Sequence, residues 1–86
     1  MNISVELTYS PLRDSYEDEI IRFIKALRAS DLTVMENPLS TQVFGPYDRV
    51  MEVLGQEIKN SLSTVEQGVF FIKMVKTDRS DYQPHF

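Results

Sequence analysis

The chain opens with an alternation of polar and apolar side chains that runs from Asn2 to Ser10. A period of two is typical of a β-strand that lays one face on a hydrophobic core. Pro11 cannot donate to a sheet ladder, so we expect this strand to end before it. The apolar positions of the strand are Ile3, Val5, Leu7 and Tyr9.

Two later segments carry apolar residues three and four positions apart, which is the spacing of an amphipathic helix. The first helix is expected to begin after Asp14 and Ser15, both favourable N-cap residues, and to end near Ala29. The second is expected to open at Gly45 and Pro46, because proline suits the first helical position. The predicted stripes are Tyr16, Ile20, Phe23, Ile24 and Leu27, and then Tyr47, Val50, Met51, Leu54, Ile58 and Leu62.

Three further segments are predicted to be strands: Leu32–Glu36, Leu39–Phe44 and Gln67–Lys76. The turn signal Asn37-Pro38 separates the first two, so we expect them to form a hairpin. The last strand differs from the others because both of its faces are apolar. One face carries Val69, Phe71 and Val75, and the other carries Phe70, Ile72 and Met74.

This order of elements, β-α-β-β-α-β, predicts an α+β fold of the ferredoxin-like type. Right-handed crossovers then give a four-stranded antiparallel sheet with strand order 4-1-3-2 and both helices on one face. Residues 1–78 are expected to form this single domain. Residues 79–86 are polar and aperiodic, and we expect them to form a tail of loop or disorder.

The sheet face opposite the helices has no cover in a monomer of this fold. Large apolar residues on an exposed edge strand are an aggregation hazard, so we expect a second copy of the chain to cover them as a dimer or tetramer. The alternative is that the tail folds back over the face. The predicted interface residues are Phe70, Ile72 and Met74, and the open face is expected to carry Ser4, Glu6, Thr8, Ser40, Gln42 and Phe44.

Composition removes several classes of chemistry. The 86 residues include no Cys and a single His, His85 near the end, so disulfides, thiolate catalysis, and His or Cys metal sites are not expected. A formal net charge of −4 argues against a nucleic-acid partner. There is no targeting segment and no apolar run long enough to span a membrane, so a cytoplasmic protein without membrane contact is expected. We predict neither an enzymatic activity nor a cofactor.

A family resemblance rests on the segment Leu39-Ser-Thr-Gln-Val-Phe-Gly45, followed by Asp48 and Met51. Together with the opening Ile3-Ser-Val-Glu-Leu-Thr and the spacing of the six elements, it resembles the thiamine-binding family called YkoF-like, over about residues 2–78. The resemblance implies a ferredoxin-like domain that pairs through its sheet and binds thiamine or its hydroxymethylpyrimidine part. Phe44 stands where relatives often carry a charged residue, so the pocket or interface is expected to differ there.

The residues of the open face suit an aminopyrimidine, a flat ring with an amine donor and ring-nitrogen acceptors. Phe44 could supply a flat surface, and Glu6 a carboxylate for the amine. By the alternation, Thr41 faces the helices, and it is included because of the resemblance. The absence of a glycine-rich phosphate loop and of a basic cluster favours an unphosphorylated ligand. The predicted ligand-binding residues are Glu6, Thr8, Ser40, Thr41, Gln42 and Phe44.

Three other functions are considered. One of them leaves the open face without a ligand, and the sequence argues against the other two. A structural or regulatory oligomerising module would use the two-sided last strand and bind no small molecule. An acylphosphatase-type enzyme would need a phosphate-cradling loop. Arg13 lies in the corresponding loop, but Ser10-Pro-Leu-Arg-Asp14 contains no glycine. A sheet-face RNA binder would want aromatic residues and positive charge on the central strands, which carry Glu6 and Gln42 instead.

Overall fold

The computed structural model describes all residues from Met1 to Phe86. Its elements follow the predicted order of strands and helices, and no helix is long and apolar enough to cross a membrane. The bounds are β1 Asn2–Pro11, α1 Tyr16–Arg28, β2 Thr33–Glu36, β3 Thr41–Pro46, α2 Tyr47–Ser63 and β4 Gly68–Lys76.

The four strands form one antiparallel sheet in the order β2-β3-β1-β4. This confirms the predicted ferredoxin-like topology, with β1 at the centre beside β3 and with β4 at an edge. Both helices pack on one face of the sheet, where the apolar side of β1 meets them. The central cluster is Ile3, Val5, Leu7, Tyr9, Phe23, Leu27, Val43, Val50, Val53 and Leu54.

The helix stripes are only partly as predicted. In α1, Phe23 and Leu27 are buried, whereas Tyr16 in the first turn is half exposed. In α2, Val50 and Leu54 are buried as expected, and Val53, which the predicted stripe omitted, is buried with them. The buried side of α2 is therefore rotated from the predicted one, and Tyr47, Met51 and Leu62 lie at its margin with more than a third of each residue exposed.

The strand β3 lies two residues further along the chain than predicted. Leu39 is in the turn and largely exposed, while Gly45 and Pro46 extend the strand and pair with Ile3 and Asn2. Pro46 has the extended backbone of a strand and occupies the N-cap of α2, so the helix begins at Tyr47 rather than at Gly45. Proline is tolerated here because it lies at the last position of the ladder.

Burial shapes the chemistry of Tyr9, the last apolar residue of β1. Its ring stacks on Phe70 with the centroids 4.2 Å apart and meets the edge of Phe23 at 5.9 Å. Its hydroxyl donates to the carbonyl of Ser61 at 3.3 Å. Burial, reinforced by the nearby Glu19 carboxylate, raises the pKa of Tyr9 above its ordinary value. Tyr9 is therefore a core residue that links β1 to α2.

Candidate functional site

The face of the sheet opposite the helices presents a row of polar side chains across three strands. Glu6 of β1 lies between Gln42 of β3 and Lys73 of β4, each directly opposite it in the ladder. Directly paired residues of an antiparallel sheet project from the same face. One carboxylate, one amide and one ammonium group therefore stand side by side at the centre of the open face.

Ser40 joins this row from the turn between β2 and β3. Its hydroxyl donates to Oε2 of Glu6 at 3.0 Å. The turn is held by Asn37, whose Oδ1 accepts from the backbone N–H groups of Leu39 and Ser40 at 2.8 and 2.9 Å. An Asx turn of this kind explains why Asn37-Pro38 ends β2. It also fixes where the Ser40 hydroxyl meets the Glu6 carboxylate.

At one end of the open face, the C-terminal segment folds back on β1. The Ser4 hydroxyl donates to the carbonyl of Thr77 at 2.7 Å and accepts from the N–H of Arg79 at 2.8 Å. The N–H of Thr77 also donates to the carbonyl of Asn2 at 2.8 Å. Thr77 has a positive φ of 92°, which a β-branched residue rarely adopts, so the reversal is imposed by these hydrogen bonds. The first residues after β4 therefore form a structured turn.

The aromatic side chain of the predicted site is largely buried. Phe44 lies opposite Ser4 in the ladder and projects from the open face, yet it is 5% exposed. Asp78 of the C-terminal turn and Phe44 line a common depression at this end of the sheet. The pKa of Asp78 is lowered because its carboxylate accepts hydrogen bonds from Ser80. Little of the Phe44 ring is accessible, so it provides an apolar wall, and the broad flat platform expected for it is absent.

A groove of about 180 Å³ lies between the central polar row and the C-terminal turn. Complete sites for drug-sized ligands enclose about 300–1,000 Å³. The groove is therefore smaller and more open than a finished binding site. It is lined by Ser4, Val5, Glu6, Gln42, Phe44, Lys73, Val75 and Arg79.

The structure brings together four of the six predicted ligand-binding residues. Glu6, Gln42 and Phe44 line the groove, and Ser40 is bonded to Glu6. Thr8 shares their face but lies one pair further along, opposite Phe71 of β4. It borders a second depression beside the groove.

Thr41 lies apart from the other predicted ligand-binding residues. It pairs with Leu7, is 7% exposed and faces the helices, as the alternation predicted. Thr41 is therefore separated from the groove by the sheet itself.

The two apolar rows of β4 are placed differently from the expected interface. The row of Phe70, Ile72 and Met74 pairs with Tyr9, Leu7 and Val5, so it lies on the helix side and does not belong to the open face. Phe70 is packed into the core against Tyr9 and Phe23. The row on the open face is Val69, Phe71, Lys73 and Val75.

Exposed apolar surface is nevertheless present on both sides of β4. Phe71 is 65% exposed on the open face, while Ile72 and Met74 are 49% and 44% exposed on the other. β4 is an edge strand with nine residues, and β1 is the strand that pairs with it. The edge therefore combines free backbone groups with apolar side chains, the combination expected of a strand that pairs with another chain.

Two cationic residues of the groove were absent from the predicted site. Lys73 interrupts the apolar row of β4, and this interruption was the signal in the sequence that could have identified it. Arg79 gave no such signal, because its position depends on the hydrogen bonds between the tail and Ser4. Together they give the groove a basic side that sequence reasoning did not anticipate.

Neither family models nor curated proteins match this chain. Solved structures do match its fold. A Streptococcus pneumoniae protein superposes with a TM-score of 0.84 at 20% identity, over 91% of this chain and 89% of that one.

Two further structures share the fold, and one of them has a name that refers to a function. A Thermotoga maritima protein named "putative thiamine biosynthesis/salvage protein" matches with a TM-score of 0.80 at 14% identity, over 90% of this chain and 85% of that chain. A Bacillus cereus domain of unknown function, DUF77, matches with a TM-score of 0.77 at 12% identity, over 91% of this chain and 78% of that chain. At these identities the likeness establishes a shared fold.

Proposed function

We propose that this protein binds thiamine or a related aminopyrimidine, such as hydroxymethylpyrimidine, without chemically altering it. The observation that carries the proposal is the pairing of Glu6 and Gln42 beside Phe44 in the open-face groove, with Ser40 bonded to Glu6. The name of the Thermotoga maritima structure supports the same class of ligand. The YkoF-like resemblance of the sequence agrees with it.

The groove offers hydrogen-bonding groups that complement an aminopyrimidine. The Glu6 carboxylate can accept from the exocyclic amine, and the Gln42 side chain can donate to a ring nitrogen. Ser40 already donates to Oε2 of Glu6, so it holds the carboxylate in place while other lone pairs stay free. The accessible edge of Phe44 and Val75 add apolar contact for the ring. This arrangement binds and orients a ring.

We further propose that a second copy of the chain completes the site. The groove alone is too open to enclose a ligand, and the apolar surface of β4 begins next to it. The accessible area is 6031 Å², whereas a folded monomer of 10.0 kDa is expected to expose about 5,200 Å². The accessible area above the expected value agrees with a surface that a second copy would cover.

Isothermal titration calorimetry with thiamine and with hydroxymethylpyrimidine tests this proposal. Wild-type protein is expected to bind at least one of them, and Glu6→Ala is expected to weaken binding about tenfold, because a charge-assisted hydrogen bond is lost. Ser40→Ala should weaken it less, since it removes the group that positions Glu6. Ser10→Ala is the matched control, because Ser10 is exposed on β1 outside the groove.

No heat with either compound at millimolar concentration would contradict the proposed function. Equal affinities in wild type, Glu6→Ala and Ser40→Ala would instead place the ligand elsewhere on the molecule. Thermal unfolding of each variant shows whether the fold is retained, so a loss of binding is not confused with a loss of structure.

The alternative function is an oligomerising module without a small ligand, and the exposed apolar residues of β4 favour it. In that case the partner fills the open face completely, and Gln42 and Phe44 are packed against protein. A crystal structure of the assembly distinguishes the two functions. A closed, ligand-sized polar cavity at the interface supports the binder, and a filled interface supports the module.

A further inference from the structure

We infer that the groove selects an aminopyrimidine that carries a phosphate monoester over cationic thiamine and over the neutral alcohol. This inference rests on the proposed function and specifies the ligand of the same site. It departs from the preference for an unphosphorylated ligand that the sequence suggested. The reason is the charge of the residues that the fold brings to the groove.

The charge of the groove is opposite in sign to that of the whole chain. Its ionisable lining residues are Glu6, Lys73 and Arg79, one carboxylate and two cations, which leaves a net charge of +1. The chain as a whole carries −4. A local excess of positive charge on an acidic protein raises the concentration of anions at that place and repels cations. Thiamine, with its cationic thiazolium, is therefore disfavoured there.

Both cations are available to a ligand. All five ion pairs of the protein lie elsewhere, and none includes Lys73 or Arg79. Lys73 is directly opposite Glu6 in the ladder, but the Glu6 carboxylate is bonded to the Ser40 hydroxyl instead. Asp78, the neighbour of Arg79 in the chain, does not line the groove, and its carboxylate accepts from the N–H of Ser80. An ammonium and a guanidinium group consequently stand at the groove without a carboxylate partner.

The backbone position of Arg79 is fixed by the fold. Its N–H donates to Ser4, whose hydroxyl in turn donates to Thr77, and Ser4 is 8% exposed. The backbone of Arg79 is thus tied to the central strand of the sheet. From this backbone position Arg79 lines the groove, where its guanidinium can donate two parallel hydrogen bonds to a phosphate. Glu6 and Gln42 lie two ladder positions from Ser4, to which Arg79 is tied, and Lys73 lies beside Glu6. One ligand can therefore place its ring at Glu6 and Gln42 and its phosphate at the two cations.

The test compares four probes by calorimetry at low ionic strength: hydroxymethylpyrimidine, its phosphate monoester, thiamine and inorganic phosphate. The phosphate ester is expected to bind the wild-type protein about tenfold more tightly than the alcohol, because the ester gains a charge-assisted hydrogen bond that the alcohol lacks. Arg79→Ala and Lys73→Ala should each reduce this ratio to about threefold or less. Lys59→Ala, an equal change of charge on exposed α2, should leave the ratio unchanged.

The outcomes separate this inference from the proposed function. If the alcohol or thiamine binds as tightly as the phosphate ester, the pyrimidine site is supported and the phosphate preference is wrong. If inorganic phosphate binds as tightly as the ester, the groove is a simple anion site and the inference is overturned. If no pyrimidine binds, both proposals fail. A preference for the ester that Arg79→Ala removes and Lys59→Ala retains supports the inference.

Discussion

A single buried carboxylate, Glu19, connects the two helices at one end of the molecule. It is 7% exposed, and its Oε2 accepts from the Thr64 hydroxyl at 2.8 Å at the end of α2. It also forms ion pairs with Arg22 and, at 3.5 Å, with Arg13. A buried carboxylate is tolerated because each of its oxygens has a partner. In the sequence, Glu19 is one of three consecutive acidic residues in the first turn of α1, where the helix dipole favours negative charge.

The cluster around Glu19 gives a prediction about stability. Glu19→Gln removes the charge from a site built for it and should lower the free energy of unfolding by about 1–2 kcal/mol. Urea denaturation followed by circular dichroism measures the change. Glu17→Gln, an exposed neighbour on the same helix, should stay within about 0.5 kcal/mol of wild type. Equal stabilities of the two variants would show that the buried cluster contributes nothing.

At the scale of elements, the sequence predicted the existence and order of every strand and helix. The alternation in β1 and the helical spacing in α1 are local properties, so they were sufficient for these elements. The predicted start of α2 was wrong because Gly45-Pro46 is an acceptable helix opening by local rules. Pairing with β1, a contact between distant parts of the chain, keeps both residues in β3 instead.

The candidate site was predictable to the extent that it depends on one strand at a time. Glu6 and Gln42 follow from alternation, since each is polar on a half-buried strand. Lys73 lies opposite Glu6 because of the register between β1 and β4. This register is not a local property of the sequence. The placement of Arg79 depends on a turn that tertiary hydrogen bonds hold.

Two glycines in different elements give a prediction about stability. A Cβ on Gly55 would meet nothing within 4 Å, so Gly55→Ala in α2 should raise the free energy of unfolding by about 0.5–1 kcal/mol. A Cβ on Gly68 would come within 3.2 Å of Leu62 and Tyr9 and within 3.3 Å of Val65. We therefore expect Gly68→Ala to be less stable than Gly55→Ala by about 1 kcal/mol or more, because three neighbours must move. Thermal unfolding of the two variants measures this difference, and identical midpoints would contradict it.

At the scale of the whole molecule, the helices cover one side of the sheet, and the other side and the β4 edge remain accessible. The double variant Phe71→Ser, Ile72→Lys places polar groups on both sides of this edge. We expect wild type to form a dimer or tetramer and this variant to be monomeric. Light scattering after size exclusion measures the mass of each. Leu39→Lys changes a residue that is 86% exposed in the β2–β3 turn, and it should leave the assembly unchanged. A monomeric wild-type chain would contradict the proposed oligomer.

The central claim is that the open face around Glu6 binds an aminopyrimidine. Titration of the isotope-labelled chain with hydroxymethylpyrimidine and its phosphate ester, followed by amide chemical shifts, tests this claim most directly. We predict saturable shifts concentrated at Ser4, Glu6, Gln42, Phe44 and Lys73, with α2 unaffected. Shifts confined to the helices, or no saturable shifts with either compound, would contradict the claim.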